Sequence, residues 1–420
     1  MAMMPGHLLI LGASVRAAAF SAARSAFLPF GADLFADVDL RRWARAVRVQ
    51  NYPEGLADAA DEAPPGPWLY TGGLENHPDL VERIAAGRPL LGNRGDVLRA
   101  VRDPRRLEEQ LRAAGLRYPP VAFSPERVPC DGSWLRKPLR SSGGLGIEVW
   151  RGESGQWSVV SGQFLYQARI EGEPCSAVYV AGAGRAVLLG ATRQLLTAEK
   201  GDSPHLPRPT CGWCPPSGCL AQMGAVPFFR GTGATPFCYA GSVGPLRLEP
   251  ALDRQLQAIG EELARRFSLV GLFGVDLILA GGQFWVIEVN PRFPASVEVL
   301  ERACGFEAVA IHVEACRSGR LPPPPAISGT WCGKAILMAR ADLVVPAAFD
   351  RLAPPADVKT WPEVADVPAA GTRIRAGGPI ATVLAEAGDE PSLLLALRRQ
   401  AAQLETQVLG LRSLVLGLWS

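Results

Sequence analysis

Apolar and polar positions change rhythm several times along the chain. "HLLILGAS" (7–14) is an unbroken apolar run ending in a turn, which predicts a buried parallel strand. "VRAAAFSAARSA" then predicts a helix and "LPFGADLFAD" a second strand with acids at its end. "PWLYTGG" and "PDLVERIAA" continue this βαβ start, so an open α/β domain is expected over 1–96. "DPRRLEEQLRAAGLRYPPV" predicts a helix stopped by Gly115 and Pro119. From "GSWLRKPLRSSGGLGIEVW" to "ATRQLL" the runs are strand-like with glycine punctuation, an antiparallel layer. Residues 199–236, rich in Pro, Gly and Cys, predict a long loop, and "EPALDRQLQAIGEELARRF" an amphipathic helix. An apolar hairpin, "GVDLILAGGQFWVIEVNPR" (274–292), and two helices follow, giving a middle domain over 97–322. After the linker "SGRLPPPPAISGT" come short strands with Gly and Pro turns, expected to form a small β barrel or sandwich. A leucine-rich amphipathic helix closes a third domain over 328–420; its stripe is expected to pack on that domain, with a helix–helix contact as the alternative.

Composition narrows the class. The 420 residues are 48% hydrophobic and 20% charged, with formal net charge +2, as expected of a folded multidomain protein. No long Lys/Arg run marks a nucleic-acid or anionic-membrane partner, and no apolar run reaches transmembrane length. The N-terminus lacks the basic region of a signal peptide, and the nine scattered cysteines suit a reducing cytoplasm. The single Gly12 makes no dinucleotide fingerprint, although Asp33 stands where such a fold holds a ribose acid.

The hairpin raises the chemical question. Asp276, Glu288 and Asn290 interrupt its apolar residues, and the one cation nearby in sequence is Arg292. Glu288 and Asn290 share a face, and Asp276 joins them if a three-residue loop or a bulge at Gly281-Gly282 sets the register. A strict two-residue turn would put Asp276 and Glu288 on opposite faces. Two carboxylates and an amide oxygen suit Mg²⁺; the alternative is an edge hairpin with one solvated face. Upstream, Lys137 precedes a loop holding Ser141, Ser142, Gly143, Gly144 and Gly146. Such a loop brings N–H groups onto phosphate oxygens, with the lysine as a point charge, or is an ordinary hairpin turn. "YQARIEGEP" (166–174) could bond a base edge through its main chain and ribose hydroxyls through Glu173.

The order and spacing of these three pieces, over roughly Val97 to Arg320, resemble the ATP-grasp superfamily of carboxylate–amine ligases. The resemblance implies an α/β and α+β multidomain chain: an ATP-grasp fold with an N-terminal open α/β (pre-ATP-grasp) domain and a small C-terminal β domain. It implies that Lys137 contacts ATP and that Ser141, Ser142, Gly143 and Gly144 form a flap over the phosphates. Gln167, Ala168, Arg169 and Ile170 are then the adenine hinge and Glu173 the ribose acid. Asp276, Glu288 and Asn290 bind Mg²⁺ (or Mn²⁺), Arg292 meets the γ-phosphate or acyl phosphate, and Arg193 in "ATRQ" is a second phosphate-binding arginine. Where the family has a further lysine, this chain offers Arg99, Arg102 and Arg105. The implied reaction joins a small-molecule carboxylate to an amine through an acyl phosphate, releasing ADP, in a cytoplasmic homodimer. A carboxylase or phosphotransferase on the same fold, and a non-catalytic nucleotide-binding scaffold, are the rival classes. The N-terminal segment "LLILGASVRAAAFSAARSAFLPFGADLFAD" is similar to uncharacterised ATP-grasp proteins of tetrahydromethanopterin- and methanofuran-linked one-carbon metabolism, which implies cofactor biosynthesis. Cys211, Cys214 and Cys219, with His205, are read as loop thiols or a zinc set.

Overall fold

The computed structural model describes residues 6–152, 164–196, 237–327, 329–339, 341–352 and 357–408; His205, Cys211, Cys214 and Cys219 lie outside the described residues. The chain opens on a parallel sheet of β1 (His7–Leu11), β2 (Leu28–Asp33), β3 (Arg45–Arg48) and β4 (Trp68–Tyr70), ordered β3-β2-β1-β4. Its helices are α1 (Arg16–Arg24), α2 (Val38–Trp43), α3 (Gly55–Glu62) and α4 (Pro78–Gly87). The run in β1 is continuous because both its faces are covered. Leu8 and Ile10 pack with Ala18, Ala19 and Ala22 of α1, while Leu9 and Leu11 pack with residues of α3 and α4. Asp33 holds this corner together: its carboxylate accepts from the N–H groups of Val15 (2.9 Å), Phe35 (2.9 Å) and Ala36 (2.7 Å). It is a buried turn-maker, 0% exposed and outside the lining of the cavity described below, so it is not placed as a ribose acid.

Two helices, α5 (Gly95–Val101) and α6 (Pro104–Ala113), lead into a small sheet ordered β5-β8-β6-β7. Its strands are β5 (Val121–Ala122), β6 (Trp134–Pro138), β7 (Glu148–Val149) and β8 (Phe164–Ala168). The large sheet has eight strands ordered β13-β12-β9-β10-β11-β14-β18-β16. They are β9 (Glu173–Gly182), β10 (Arg185–Leu196), β11 (Tyr239–Gly244), β12 (Gly271–Ala280), β13 (Gln283–Asn290), β14 (Trp331–Met338), β16 (Val364–Ala365) and β18 (Pro379–Ala387); β15 (Leu343–Val344) and β17 (Arg373–Ile374) pair separately. The C-terminal strands, expected as a small β barrel or sandwich, join the central sheet, because β14 hydrogen-bonds to β11 as well as to β18. The closing helix α10 (Glu390–Gln403) buries Leu393 and Leu397 in the core of those strands, as its leucine stripe predicts.

Helix α7 (Pro250–Phe267) buries Leu256, Ile259, Leu263, Ala264 and Phe267 against one face of the large sheet, where Tyr179 and Phe273 stack at 4.9 Å. The other face changes character along its length. At one end Val178, Val180 and Leu272 pack with α8 (Val297–Cys304) and α9 (Ala308–Ser318). Two residues further, on the same side, stand Ser176 of β9 and Gly274 and Asp276 of β12, which line a cavity. Core thus becomes site floor along the same strands.

The hairpin reaches its register by a route the sequence does not show. The turn is a tight Gly281-Gly282 pair, both at positive φ (57° and 71°), joining Ala280 to Gln283. By itself that turn would separate Asp276 from Glu288. A bulge lets Leu277 pair with Val286 while Asp276 pairs with Glu288, so Ile287 is the extra residue.

A buried charge network ties the segments together. Arg16 grips Glu298 with two nitrogens and Asp366 with Nε (3.0 Å), and Lys334 Nζ donates to Glu298 at 3.0 Å. Arg16 and Glu298 are 1% exposed, so each charge depends on the other. Burial opposes ionisation of Glu298, but Arg16 and then Lys334 outweigh it and hold the carboxyl at about 2. The contribution is therefore complete above the ordinary value of 4.5 and is lost as pH falls from there toward 2. Urea titrations should show stability declining across that window in the native protein, with the decline reduced in Glu298→Gln. Arg16→Met, which strands a buried carboxylate, should destabilise by about 3 kcal/mol or more, read as a lower urea midpoint.

Candidate functional site

A cavity of about 630 Å³ lies between the small sheet and the polar end of the large one, and reaches the β1–α1 turn and strands β14 and β18. Its small-sheet wall comes from strand parity. Leu135 and Lys137 of β6 and Gln167 of β8 share a face, Leu135 pairing directly with Gln167. Lys137 Nζ donates to Gln167 Oε1 at 2.6 Å. Burial pulls the Lys137 ammonium down to about 8, with Asp276 pulling the other way. Gln167 is 1% exposed, and its Nε2 is a buried donor without a partner among the described residues.

The loop between β6 and β7 folds over this end. Ser142, Gly143 and Gly144 line the cavity; Ser141 lines a smaller adjoining one, where its Oγ donates to the Leu145 carbonyl at 2.6 Å. Gly144 is required there. Its φ is +78°, and a Cβ would lie 1.9 Å from the Phe237 carbonyl. At the hinge, the N–H groups of Ala168 and Arg169 already donate to Pro120 and Ser133 carbonyls (2.9 and 2.8 Å). These two N–H groups are therefore committed within the protein, and the segment lines the cavity as far as Ile170.

Opposite stand the hairpin acids. Asp276 Oδ1 accepts from Gln194 Nε2 (2.7 Å) and Oδ2 from Asn290 Nδ2 (2.9 Å). Burial pushes its carboxyl pKa up against the pull of Arg292. Glu288, directly across the hairpin, is gripped by Arg102, whose Nη2 also donates to Asn76 Oδ1 at 3.0 Å. Arg292 donates to Asn290 Oδ1 (3.2 Å) and, through Nε and Nη2, to Glu75 Oε1 (3.3 Å each). Glu75, from the first domain, is buried and orients this guanidinium from behind.

Two expected residues are not at the cavity. Arg193 and Glu173 do not line it. They pair with each other at 3.4 Å, and Arg193 also pairs with Glu390 at the start of α10. The reason is strand alternation: on β10 the neighbouring Gln194 faces the cavity, and on β9 the neighbours are Pro174 and Ser176. Glu171, just before β9, is the acid that lines the cavity there. The structure therefore places Gln194 and Glu171 on the cavity lining, and Arg193 and Glu173 off it. Counting parity back from Ser176 takes Glu173 off the cavity face, but it does not pick out Glu171, which has the same parity and precedes the strand. Of the three arginines the sequence offers in place of a further lysine, Arg102 is the one that reaches Glu288; Glu75 had no local signal, since its partner lies 217 positions away. His312, in α9, is structural: Nδ1 accepts from Leu272 N–H at 2.8 Å, Nε2 lies 3.0 Å from the Leu91 carbonyl, and burial lowers the ring to about 4.

Among the described residues, no helix is long and apolar enough to cross a membrane. Residues 101–296 match the ATP-grasp domain family. The chain is 28% identical over 78 residues to the carbamoyl phosphate synthase large chain of Thermoplasma volcanium, a match spanning 19% of this chain and 8% of that protein. Among solved structures it is similar to the biotin carboxylase domain of Hydrogenobacter thermophilus 2-oxoglutarate carboxylase, crystallised with MgADP and bicarbonate (TM-score 0.66, 13% identity, covering 93% of this chain and 88% of that one). It is also similar to phosphoribosylamine–glycine ligase of Thermotoga maritima (TM-score 0.63, 16% identity, covering 95% and 96%). The chain therefore carries an ATP-grasp domain and is built on the ATP-grasp fold.

Proposed function

We propose that this protein is an ATP- and Mg²⁺-dependent ligase that joins a carboxylate to an amine through an acyl phosphate. The observation that carries this is Asp276 and Glu288 directly opposed across the hairpin, with Lys137 and Arg292 facing the same cavity. The donor set fits the absent groups. Asp276 is a half-buried carboxylate whose hydrogen bonds come from uncharged side chains, which suits a cation. Gln167 Nε2, without a partner among the described residues, and the half-buried Lys137 suit an anionic nucleotide. A divalent cation held by Asp276, Glu288 and Asn290 would supply positive charge to the phosphate oxygens.

The chain's own residues do the rest. Lys137 and the glycine-rich loop hold the polyphosphate, and the loop excludes water from the reacting groups. The substrate carboxylate oxygen bonds to the γ-phosphorus as the bond to ADP breaks. The amine nitrogen then bonds to the acyl carbon, phosphate departs with the electron pair, and the nitrogen's protons pass to phosphate and solvent. Arg292, fixed by Glu75 and Asn290, neutralises the charge that develops on the transferred group in both steps. The N-terminal resemblance supports a place in cofactor biosynthesis.

Release of ADP and phosphate from Mg-ATP, screened against acid and amine pools that include pterin precursors, tests this reading. One acid–amine pair should drive ADP release, and Asp276→Ala/Glu288→Ala should abolish it and weaken Mg-ADP binding at least tenfold. ADP release driven by bicarbonate without an amine would make the enzyme a carboxylase, and AMP with pyrophosphate would rule out the acyl phosphate. Lys137 gives a second check. Its ammonium is protonated below about 8 and neutral above, so affinity for ADP should fall as pH rises through that value. Lys137→Met should bind ADP more weakly throughout and lose the step.

A further inference from the structure

The cavity holds more chemistry than a nucleotide and its cation need. Its far wall comes from segments widely separated in the chain. Lys334 and Ile336 stand on β14, Thr382 on β18 beside Ile336, and Asp366 directly after β16, whose Ala365 pairs with Thr382. Among the described residues, the carboxylates lining the cavity are Glu171, Asp276, Glu288 and Asp366. The first lies at the hinge and the next two on the hairpin. Asp366 is left, and its side chain is 28% exposed.

Asp366 is held rigidly and is still incomplete as an acceptor. Oδ1 takes one bond, from Arg16 Nε at 3.0 Å; Oδ2 takes two, from Thr382 Oγ1 at 2.6 Å and Arg16 Nη2 at 3.3 Å. A carboxylate oxygen accepts two bonds, so Oδ1 has room for another donor. Lys334 is its complement: one of the three ammonium donors is on Glu298, and the side chain lines the same wall. The local charge is also unbalanced. Arg16 and Lys334 face Glu298, Asp39 and Asp366, with Asp37 buried beside Asp366 and Asp39 and not capping its own helix. An added ammonium relieves that excess of carboxylates, and an added carboxylate beside Lys334 uses its spare donors.

Resting on the ligase reading above, we infer that the acceptor substrate is an α-amino acid or a molecule ending in one, its ammonium on Asp366 and its carboxylate on Lys334. The nucleophilic nitrogen is then presented from the wall opposite the hairpin, and wall and phosphate site bind different partners in one cavity. An acceptor lacking either charge leaves the open position on Asp366 Oδ1 or the spare Lys334 donors unused, which is the basis for rejecting it.

The test is calorimetric titration of the full chain, first with Mg-ADP and then, in its presence, with each of the twenty proteinogenic L-amino acids. Each binder is compared with its des-amino acid and with its decarboxylated amine. At least one amino acid should bind; removing its amino group should weaken binding at least tenfold, and removing its carboxylate should weaken it severalfold. Asp366→Asn should reproduce the first loss, with Mg-ADP affinity as the control for an intact fold. Thr382→Val, which removes one support of Asp366, should give a smaller loss of the same kind. If Asp366→Asn does not fold, the analogue series on the native protein decides. Mg-ADP binding with no amino acid bound, or des-amino acids binding as tightly as amino acids, overturns the inference and leaves the nucleotide site standing. Binding of plain amines as tight as that of amino acids removes Lys334 from the proposal and overturns the α-amino-acid class. Failure to bind Mg-ADP at all brings down the ligase reading, and this inference with it.

Discussion

The grip of Arg16 on Glu298 is the contact on which the arrangement of this molecule depends. Both groups are almost fully buried, and neither charge is tolerable there without the other. Arg16 starts the first helix of the parallel domain, and Glu298 starts the helix that follows the hairpin. Lys334 and Asp366 then bring the C-terminal strands to the same point. Three distant stretches of chain must converge for any of these charges to be satisfied, and where they converge they close one end of the cavity.

The floor of that cavity depends on a second constraint, strand parity. On β9 and β12 the side that carries Val178, Val180 and Leu272 into the core also carries Ser176 and Asp276 into the site. The apolar end anchors the strands against α8 and α9, so the polar end is held without mobile loops beneath it. The bulge at Ile287 serves the same purpose. It lets the hairpin keep its tight glycine turn and still oppose Asp276 to Glu288. The second layer around the hairpin is made of charge pairs from other elements: Arg102 on Glu288, and Glu75 on Arg292.

Much of this was legible in the chain as written. The buried strand of β1, the amphipathic α7, the hairpin with Asp276, Glu288 and Asn290, and the Lys137 strand with its Gly/Ser loop all carry local periodicity or composition, and local signals survive without knowledge of the fold. The C-terminal strands read as a separate unit because a sequence shows that a segment is strand-like but not which edge it joins. Here β14 found the free edge of β11.

What the sequence by itself determined is the set of elements and the chemistry-bearing residue types on them, because side-chain period and turn chemistry act over a few residues. Tertiary structure alone decided which neighbour of a pair faces the cavity, Gln194 rather than Arg193, and that Glu171, ahead of β9, lines it while Glu173 does not. It also decided where the hairpin bulges and which buried charges meet across hundreds of positions, as Arg16 meets Glu298 and Asp366. A one-residue shift reverses a strand's faces, and a buried ion pair is specified by three-dimensional desolvation, so neither can be read from a local window.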